Sequence, residues 1–318
     1  FHRRRDTLAQ GAGAARLIMR RFSGWAAFGA APLTLAGCVP EQVPPQAATP
    51  PLVAPAQPAC AEDSLRGADF RLEGEAMQGA LMRGLAPRCA RRVTLDGRDV
   101  PLAPDGRFLI AFDRDASSSA LLRAEIEGGV PVERTLPVQA GSWRIERVDA
   151  SPTANIPSAQ FLERRKPELE RIAAARAMRP YSDGWRQSFR WPVTGRISGL
   201  FGAQRIYRGQ PGSYHSGVDV AVPTGTPIRA PADGVVVLAA QTPFTLEGHL
   251  LIVDHGMGLT SAFLHCSSLA VKEGDIVRQG QVVAAVGATG RASGPHMHWG
   301  MMWNGARLDP QKIAASMQ

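Results

Sequence analysis

The chain has 318 residues, a length that predicts two domains with connecting segments rather than one core. Its formal net charge is +8, carried almost wholly by arginine, and no apolar run is long enough for a mature membrane span. These features argue against a protein built from membrane spans. Because the arginines are scattered along the chain, the charge has two interpretations: solvated surface, or an anionic partner such as a cell-wall polymer.

The first segment has the pattern of a secretory signal. After Met19 come two arginines, a short and largely apolar stretch, and the sequence LAGC, which ends at Cys38. This ending resembles the lipobox of bacterial lipoproteins. The resemblance implies that residues 1–37 are a leader and lipoprotein signal peptide and that Cys38 carries a lipid that anchors the chain to a membrane. The alternative is a chance cysteine after an ordinary signal.

Residues 38–64 are predicted to be the lipidated cysteine and a tether. Prolines are dense between residues 40 and 58, and such a stretch prefers an extended conformation to a packed core. Val39 replaces the aspartate that typically retains lipoproteins in the inner membrane. We therefore expect the chain to be lipid-anchored on the periplasmic side, at the outer membrane.

Cys60 and Cys89 are candidates for a disulfide. In an oxidising compartment a bond between them would stabilise the first folded region by roughly 3–4 kcal/mol, through the lost entropy of the unfolded chain. Two unpaired thiols are the alternative.

Residues 65–150 predict a small antiparallel β-sandwich. Short apolar stretches alternate with turn signals, among them Asp-Gly at 96–97 and 105–106 and Gly-Gly at 128–129. This region holds no histidine and no cluster of catalytic residue types, so we interpret it as an accessory domain.

Residues 151–190 predict a helical linker. Helix-forming residues dominate between 158 and 178, and Ser158 is a suitable N-cap. Pro167 interrupts the run, so we expect a kinked or two-part helix.

Residues 191–318 predict an antiparallel, β-rich domain, because strand-forming runs alternate with Gly, Pro and Asp-Gly turns. The tetrapeptide at residues 255–258 is predicted to be the turn between two strands. The fold class is therefore mainly β, with a β-sandwich, a helical linker and a β-rich final domain.

Six of the seven histidines fall within this last region, which suggests a metal site. A catalytic zinc site needs three protein ligands and one position for water. The sequence offers His215 and Asp219 in the motif HSGVD, His265 in a strand-like run, and His296 and His298 in the triplet HMH.

The spacing within these motifs constrains how the residues act. Four residues of straight strand span about 13 Å, so His215 and Asp219 need a bend to reach one ion, and Gly217 permits it. His296 and His298 lie on one face of a strand, about 7 Å apart. Spacing alone does not tell which of those two binds the metal.

The motifs and their flanking sequence, over roughly residues 191–310, resemble the lysostaphin- and LytM-like zinc endopeptidases of peptidoglycan. The resemblance implies that one Zn²⁺ is bound by His215, Asp219 and His298, and that the catalytic His265 and His296 face the metal-bound water. Which of these two is the general base is left open.

The sequence also departs from this family. His249 stands where the family usually has asparagine, and Phe263 and Cys266 replace a tyrosine and a leucine around His265. We interpret His249 and His255 as structural and Cys266 as a buried apolar filler. The alternatives are an extra polar group at the groove and an oxidisable thiol.

The resemblance implies hydrolysis of peptide cross-links in bacterial peptidoglycan, at a D-alanyl–diaminopimelate bond or, alternatively, at a glycyl bridge. A second hypothesis is a non-catalytic LytM-like regulator that activates cell-wall amidases. A carrier module is a third, but Lys272 lacks the hairpin-tip setting that a covalent cofactor needs. A nucleic-acid partner is not expected of a secreted chain, and the oligomeric state is left open.

Overall fold

The computed structural model describes residues 69–150, 158–315 and 317. Three predicted features lie outside these residues, and the predictions made for them stay predictions: the signal peptide, the lipidated Cys38 and the disulfide candidate Cys60. Cys89 is disulfide-bonded. Within the described ranges, no helix is both long and apolar enough to cross a membrane.

The first described region is built of short strands. They are β1 (Arg71–Glu73), β2 (Leu81–Leu85), β3 (Ala90–Leu95), β4 (Arg98–Val100), β5 (Arg107–Ala111), β6 (Ser119–Ile126), β7 (Val132–Pro137) and β8 (Ile145–Val148). Of these, β1 to β7 pair in antiparallel fashion.

The strands β1 to β7 form two sheets, in the orders β1-β2-β5 and β4-β3-β6-β7. Strand β6 shows why they pack: Ala120, Leu122 and Ala124 alternate with more exposed residues and are buried on one face.

Strand β8 leaves this arrangement and pairs in parallel with a strand of the last region, at residues 204–207. Nearby, Trp143 packs edge-on against Phe201, with ring centroids 5.5 Å apart. The accessory region and the last region therefore share a sheet and a core, and both belong to one compact unit.

The segment between the two regions forms one helix, α1 (Ala159–Ala177), whose N-cap Ser158 accepts a hydrogen bond from the backbone N–H of Phe161. Pro167 lies inside this single helix, so of the two expected forms, kinked or two-part, the two-part helix is wrong. Proline removes only one intrahelical hydrogen bond, and packing offsets that loss because Ile172 and Ala175 are buried against the following sheet.

The last region contains the remaining strands. They are β9 (Arg196–Gly199), β10 (Gln204–Tyr207), β11 (Gln210–Pro211), β12 (Val218–Ala221), β13 (Pro227–Arg229), β14 (Gly234–Ala239), β15 (His249–Asp254), β16 (Leu259–Cys266), β17 (Ser268–Leu269), β18 (Ile276–Val277), β19 (Val282–Ala285), β20 (Met297–Trp303) and β21 (Ala306–Leu308). Short 3-10 turns span Gly184–Arg186 and Pro310–Lys312.

A large antiparallel sheet forms the frame of this region. Its order is β18-β14-β15-β16-β20-β12-β9, and β21 pairs with β20. A smaller sheet has the order β13-β19-β17. Trp299, Phe263 and Leu251 are fully buried in the core on one face of the large sheet. The mainly β fold class is confirmed, as is the turn at 255–258 between β15 and β16.

His255 in that turn is a core residue. Its Nδ1 lies 2.8 Å from the carbonyl oxygen of Asp233 and its Nε2 lies 2.9 Å from Oγ of Ser261. Burial lowers the pKa of His255 to about 4, and burial raises the pKa of the adjacent Asp254 to about 6. The folded chain therefore favours the neutral form of both side chains.

These two shifts have opposite effects on stability. A neutral, buried His255 stabilises the fold above its unfolded pKa of 6.5, and this stability is lost as the pH falls from 6.5 toward 4. Asp254 destabilises the fold above pH 6, and this cost is relieved as the pH falls from about 6 to 3.8. The two contributions partly cancel in the intact chain.

We predict that Asp254→Asn uncovers the contribution of His255. The free energy of unfolding of Asp254→Asn, measured by denaturant titration, should fall between pH 7 and pH 4.5 by about 2 kcal/mol more than that of the double variant Asp254→Asn/His255→Gln. The double variant controls for every other titrating group. Equal falls in the two variants would contradict the placement of a neutral histidine in the core.

Candidate metal centre

The pairing of β12 with β20 places Asp219 directly opposite His298. His215 precedes β12, and its backbone is fixed on both sides: its N–H donates to the carbonyl of Ala203 (2.8 Å), and its carbonyl accepts from the N–H of Gly202 (2.8 Å). A strand register and a clamped loop therefore bring together three residues predicted as ligands.

The candidate ligand atoms of these three residues form a compact triangle. His215 Nε2 lies 3.1 Å from Asp219 Oδ1 and 3.0 Å from His298 Nδ1, and His298 Nδ1 lies 2.9 Å from Asp219 Oδ1. Ligands of a tetrahedral metal with bonds of about 2.0–2.1 Å are separated by about 3.3 Å. The triangle is close to that size, so the donor set and its spacing fit one metal ion.

Protonation of the three side chains also suits metal binding. Nδ1 of His215 donates to the carbonyl of Leu200 (3.0 Å), which leaves the Nε2 lone pair toward the other ligands. Burial alone would raise the pKa of Asp219, but the adjacent imidazoles of His215 and His298, which donate to the carboxylate when they are protonated, outweigh burial and hold this pKa well below its ordinary value. Asp219 is therefore a carboxylate at neutral pH, the form that binds cations.

The two histidines differ in basicity. Burial alone lowers the pKa of His215, but the hydrogen bond and charge of Asp219 outweigh it and raise this pKa above its ordinary value. Burial lowers the pKa of His298, which is almost fully enclosed and so favours the neutral, ligating form.

Gly217 has a different role from the one expected. The chain bends there, but the φ angle of Gly217 lies outside the left-handed region, so the bend itself does not require glycine. A Cβ atom at this position would lie 2.4 Å from the carbonyl oxygen of Trp299 and 2.7 Å from Nε2 of His298. Glycine is needed because the chain passes against the strand that carries His298.

His296 and His265 face each other beside the triangle, with ring centroids 5.1 Å apart. Nδ1 of His296 donates to the carbonyl of Gly294 (2.8 Å), and its Nε2 lies 3.7 Å from Oδ1 of Asp219. Nδ1 of His265 donates to the carbonyl of Thr289 (2.8 Å). Each ring therefore keeps Nε2 available for a proton. These carbonyl partners could not be predicted from the sequence, because every residue type has a backbone carbonyl.

A β-bulge places His265 on this side of the sheet. Phe263 and His265 would share a face in a regular strand, but Phe263 is buried in the core. The pairing of β15 with β16 shifts register here, and His265 has a φ of 62°. A left-handed conformation is rare for a residue other than glycine and is concentrated at functional sites. No feature of the sequence predicted this bulge.

The other singled-out residues are not part of this cluster. His249 is half-buried, and its Nδ1 lies 2.9 Å from the carbonyl oxygen of Ala240. Cys266 is fully buried, and burial raises the pKa of its thiol to about 12, so the thiol stays protonated. These contacts agree with the structural interpretation of His249 and with the filler interpretation of Cys266.

A groove extends from the candidate metal centre across the open face of the large sheet. Ala262, Leu264 and Gly300 of the sheet line it, and the candidate ligand His298 borders it. Helix α1 forms a wall through Arg165, Leu169, Ile172 and Arg176. Glu247, the acidic residue among the lining residues, is paired with Arg165, so the groove carries a net positive charge.

Residues 213–310 match the family described as Peptidase family M23. The chain contains a peptidase family M23 domain. All five residues of the cluster, the three candidate ligands and the two facing histidines, lie within the matched residues.

Several known proteins resemble parts of the chain. Peptidoglycan DD-endopeptidase ShyB of Vibrio cholerae is 28% identical over 55% of this chain and 38% of the relative, and ShyA of the same organism is 35% identical over 40% and 30%. The chain thus spans well under half the length of these relatives. A crystal structure of a candidate M23 peptidase from Pseudomonas aeruginosa is 28% identical, covers 76% of this chain and 95% of its own, and has a TM-score of 0.58.

We predict that Gly217→Ala weakens binding of a divalent metal to the M23 domain by at least about tenfold, because the new Cβ pushes against His298 and Trp299. Titration with Zn²⁺ against a chromophoric chelator measures the affinity. Gly300→Ala, on the strand that carries His298, is the matched control, since its Cβ would lie at an ordinary 3.4 Å from the nearest atom. Equal metal affinity in the two variants would contradict the role given to Gly217.

Proposed function

We propose that this chain is a zinc-dependent endopeptidase that hydrolyses peptide cross-links of bacterial peptidoglycan and uses one zinc ion. The observation that carries the proposal is the cluster itself. Three donor atoms within 3.1 Å of one another stand beside two histidines whose Nε2 atoms are available, at the border of a groove. A metal site with protein groups for proton transfer beside it is what metal-assisted hydrolysis requires.

His215, Asp219 and His298 would hold the zinc ion. Zinc bound there would polarise the scissile carbonyl and lower the pKa of a water molecule toward 7. Nε2 of the neutral ring of His265 or of His296 accepts the proton of the attacking water, and the other ring, protonated on both nitrogens, donates a hydrogen bond from Nε2 to the charged oxygen of the tetrahedral intermediate. The carbonyls of Thr289 and Gly294 accept from Nδ1 of the two rings and so leave Nε2 as the active nitrogen of each.

The shape and charge of the groove support a peptide substrate that bears carboxylates. Apolar lining residues suit alanyl side chains, and Arg176 and Arg307 line the groove without an ion pair to any described residue. The stem peptides of peptidoglycan match this chemistry. The similarity to DD-endopeptidases favours a D-alanyl–diaminopimelate bond over a glycyl bridge.

We predict that the purified protein, loaded with Zn²⁺, converts cross-linked muropeptide dimers to monomers, as measured by mass spectrometry. His298→Ala should lose bound zinc and activity together. His296→Ala should keep its zinc and lose at least about 100-fold in turnover, since it lacks only a proton-handling group. Full zinc content and activity in His298→Ala would contradict the ligand assignment.

The same experiment separates the peptidase from a regulator of amidases. If the wild-type protein binds zinc but releases no new fragment from muropeptides, while it increases the activity of an added cell-wall amidase, the peptidase proposal is wrong. Cleavage of a glycyl bridge instead of the D-alanyl bond would keep the peptidase and change the substrate.

We further propose that the chain acts on the periplasmic side of the outer membrane, anchored by lipid at Cys38. The LAGC sequence and the proline-rich tether support this placement. When expressed from Met19 in a Gram-negative host, the wild-type protein should sediment with outer membranes and show an intact mass raised by acyl chains. Cys38→Ser should lose both, whereas the control Cys60→Ser should keep both; an unmodified Cys38 would contradict the anchor.

A further inference from the structure

Helix α1 lies outside the residues that match the M23 family, yet it forms a wall of the groove. It is fastened there by charged hydrogen bonds. Nη1 and Nη2 of Arg165 donate to the two carboxylate oxygens of Glu247 at 2.5 and 2.6 Å. Both side chains are mostly buried, at 12% and 17% exposure. A bidentate and shielded pair of this kind holds its partners in one geometry.

A second carboxylate strengthens this attachment. Glu168, one turn along the helix, accepts from Arg165 at 2.9 Å and from both the backbone N–H and Oγ1 of Thr245 at 2.7 Å. The helix therefore grips the loop that precedes β15 at two of its residues, Thr245 and Glu247.

The same loop reaches the candidate catalytic residue. The carbonyl oxygen of Glu247 accepts the backbone N–H of His265 at 2.8 Å. Glu247 thus contacts Arg165 through its side chain and His265 through its main chain. Arg165 is therefore linked to His265 through a single residue, Glu247, by hydrogen bonds on both sides.

His265 needs such support because of its backbone conformation. A φ of 62° is a strained conformation for a residue other than glycine and persists only where the surroundings impose it. The N–H of His265 bonded to Glu247 and the ring bonded to Thr289 are two restraints on this conformation. Losing the first would allow the bulge to relax and the ring to move.

We propose that Arg165 is a positioning residue that holds His265 in place through Glu247, so that α1 belongs to the catalytic apparatus rather than serving as a linker. The part of this proposal that concerns activity rests on the proposed peptidase function. The part that concerns the conformation of His265 does not, and it is measured separately.

The helix supplies a matched control. Arg171, on the same helix, pairs with Glu273 at 2.7 Å, but both side chains are about half exposed, at 47% and 49%. Glu273 lies in the segment between β17 and β18 and makes no contact with His265. Arg171 also lies over the ring of Phe244, with its guanidinium carbon 5.3 Å from the ring centroid, but it makes none of the hydrogen bonds to Thr245 or Glu247. Loss of Arg171 therefore removes an attachment of α1 and leaves those hydrogen bonds in place.

The experiment compares Arg165→Met, Arg165→Lys and Arg171→Met in the full chain, with thermal unfolding to establish that each is folded. Native-state hydrogen exchange of the His265 amide is the first readout. We expect exchange to be at least about tenfold faster in Arg165→Met than in the wild type, intermediate in Arg165→Lys, and unchanged in Arg171→Met. Equal exchange in Arg165→Met and Arg171→Met would overturn the proposal.

Kinetics on muropeptide dimers are the second readout. A displaced His265 should lower kcat of Arg165→Met by about 10- to 100-fold with zinc content nearly unchanged, since the metal is bound by other residues. Arg171→Met should stay within about twofold of the wild type. A loss shared by both variants, or one confined to KM, would overturn the positioning role. A wild type without activity would overturn the proposed function alone, because the exchange comparison still tests the link to His265.

Discussion

The carboxylate of Asp219 lies in a mostly buried position, within 3.1 Å of ring nitrogens of His215 and His298, and the surrounding structure is arranged around that contact. A buried carboxylate is costly unless its oxygens are paired. The antiparallel register of β12 and β20 supplies one partner, and the clamped loop before β12 supplies the other.

Close approach of the main chain makes room for this cluster. A Cβ on Gly199 would lie 2.3 Å from Oδ2 of Asp219, and one on Gly217 would lie 2.7 Å from Nε2 of His298. Glycine on each side lets neighbouring strands come near enough for the donor atoms to meet at about 3 Å. Close packing of the main chain also places backbone carbonyl groups next to the rings of His215, His265 and His296, and these carbonyls are their hydrogen-bond partners.

Prediction from sequence succeeded where short-range pattern and composition decide the outcome. Alternating apolar residues and Asp-Gly turns indicated a mainly β fold, and the family resemblance carried by HSGVD and HMH implied a set of residues that lie close together in the structure. Features that depend on contacts between residues distant in sequence were not predicted. The bulge at His265 is set by pairing with β15, and the single helix through Pro167 is set by burial of Ile172 and Ala175.

Gly217 shows a subtler limit. A glycine between two ligands suggests a conformational reason, because φ and ψ are properties of the residue itself. The structure gives a spatial reason, which arises from a strand some 80 residues later in the chain (Trp299). Sequence spacing can show that a glycine matters without showing which physical constraint it satisfies.

Residues that precede the family match contact the backbone around the candidate cluster at two places. On one side, Arg114 of the first region is buried and donates from Nε to the carbonyl of Gly202, whose own N–H holds the carbonyl of His215. Trp143 packs on the open face of that glycine.

On the other side, α1 grips the loop that holds His265. The accessory region thus touches the loop of a candidate ligand, and the helix touches the loop of a candidate base. A loop is held in place by the residues that contact it. The positions of His215 and His265 in the M23 domain therefore depend in part on segments outside the family match.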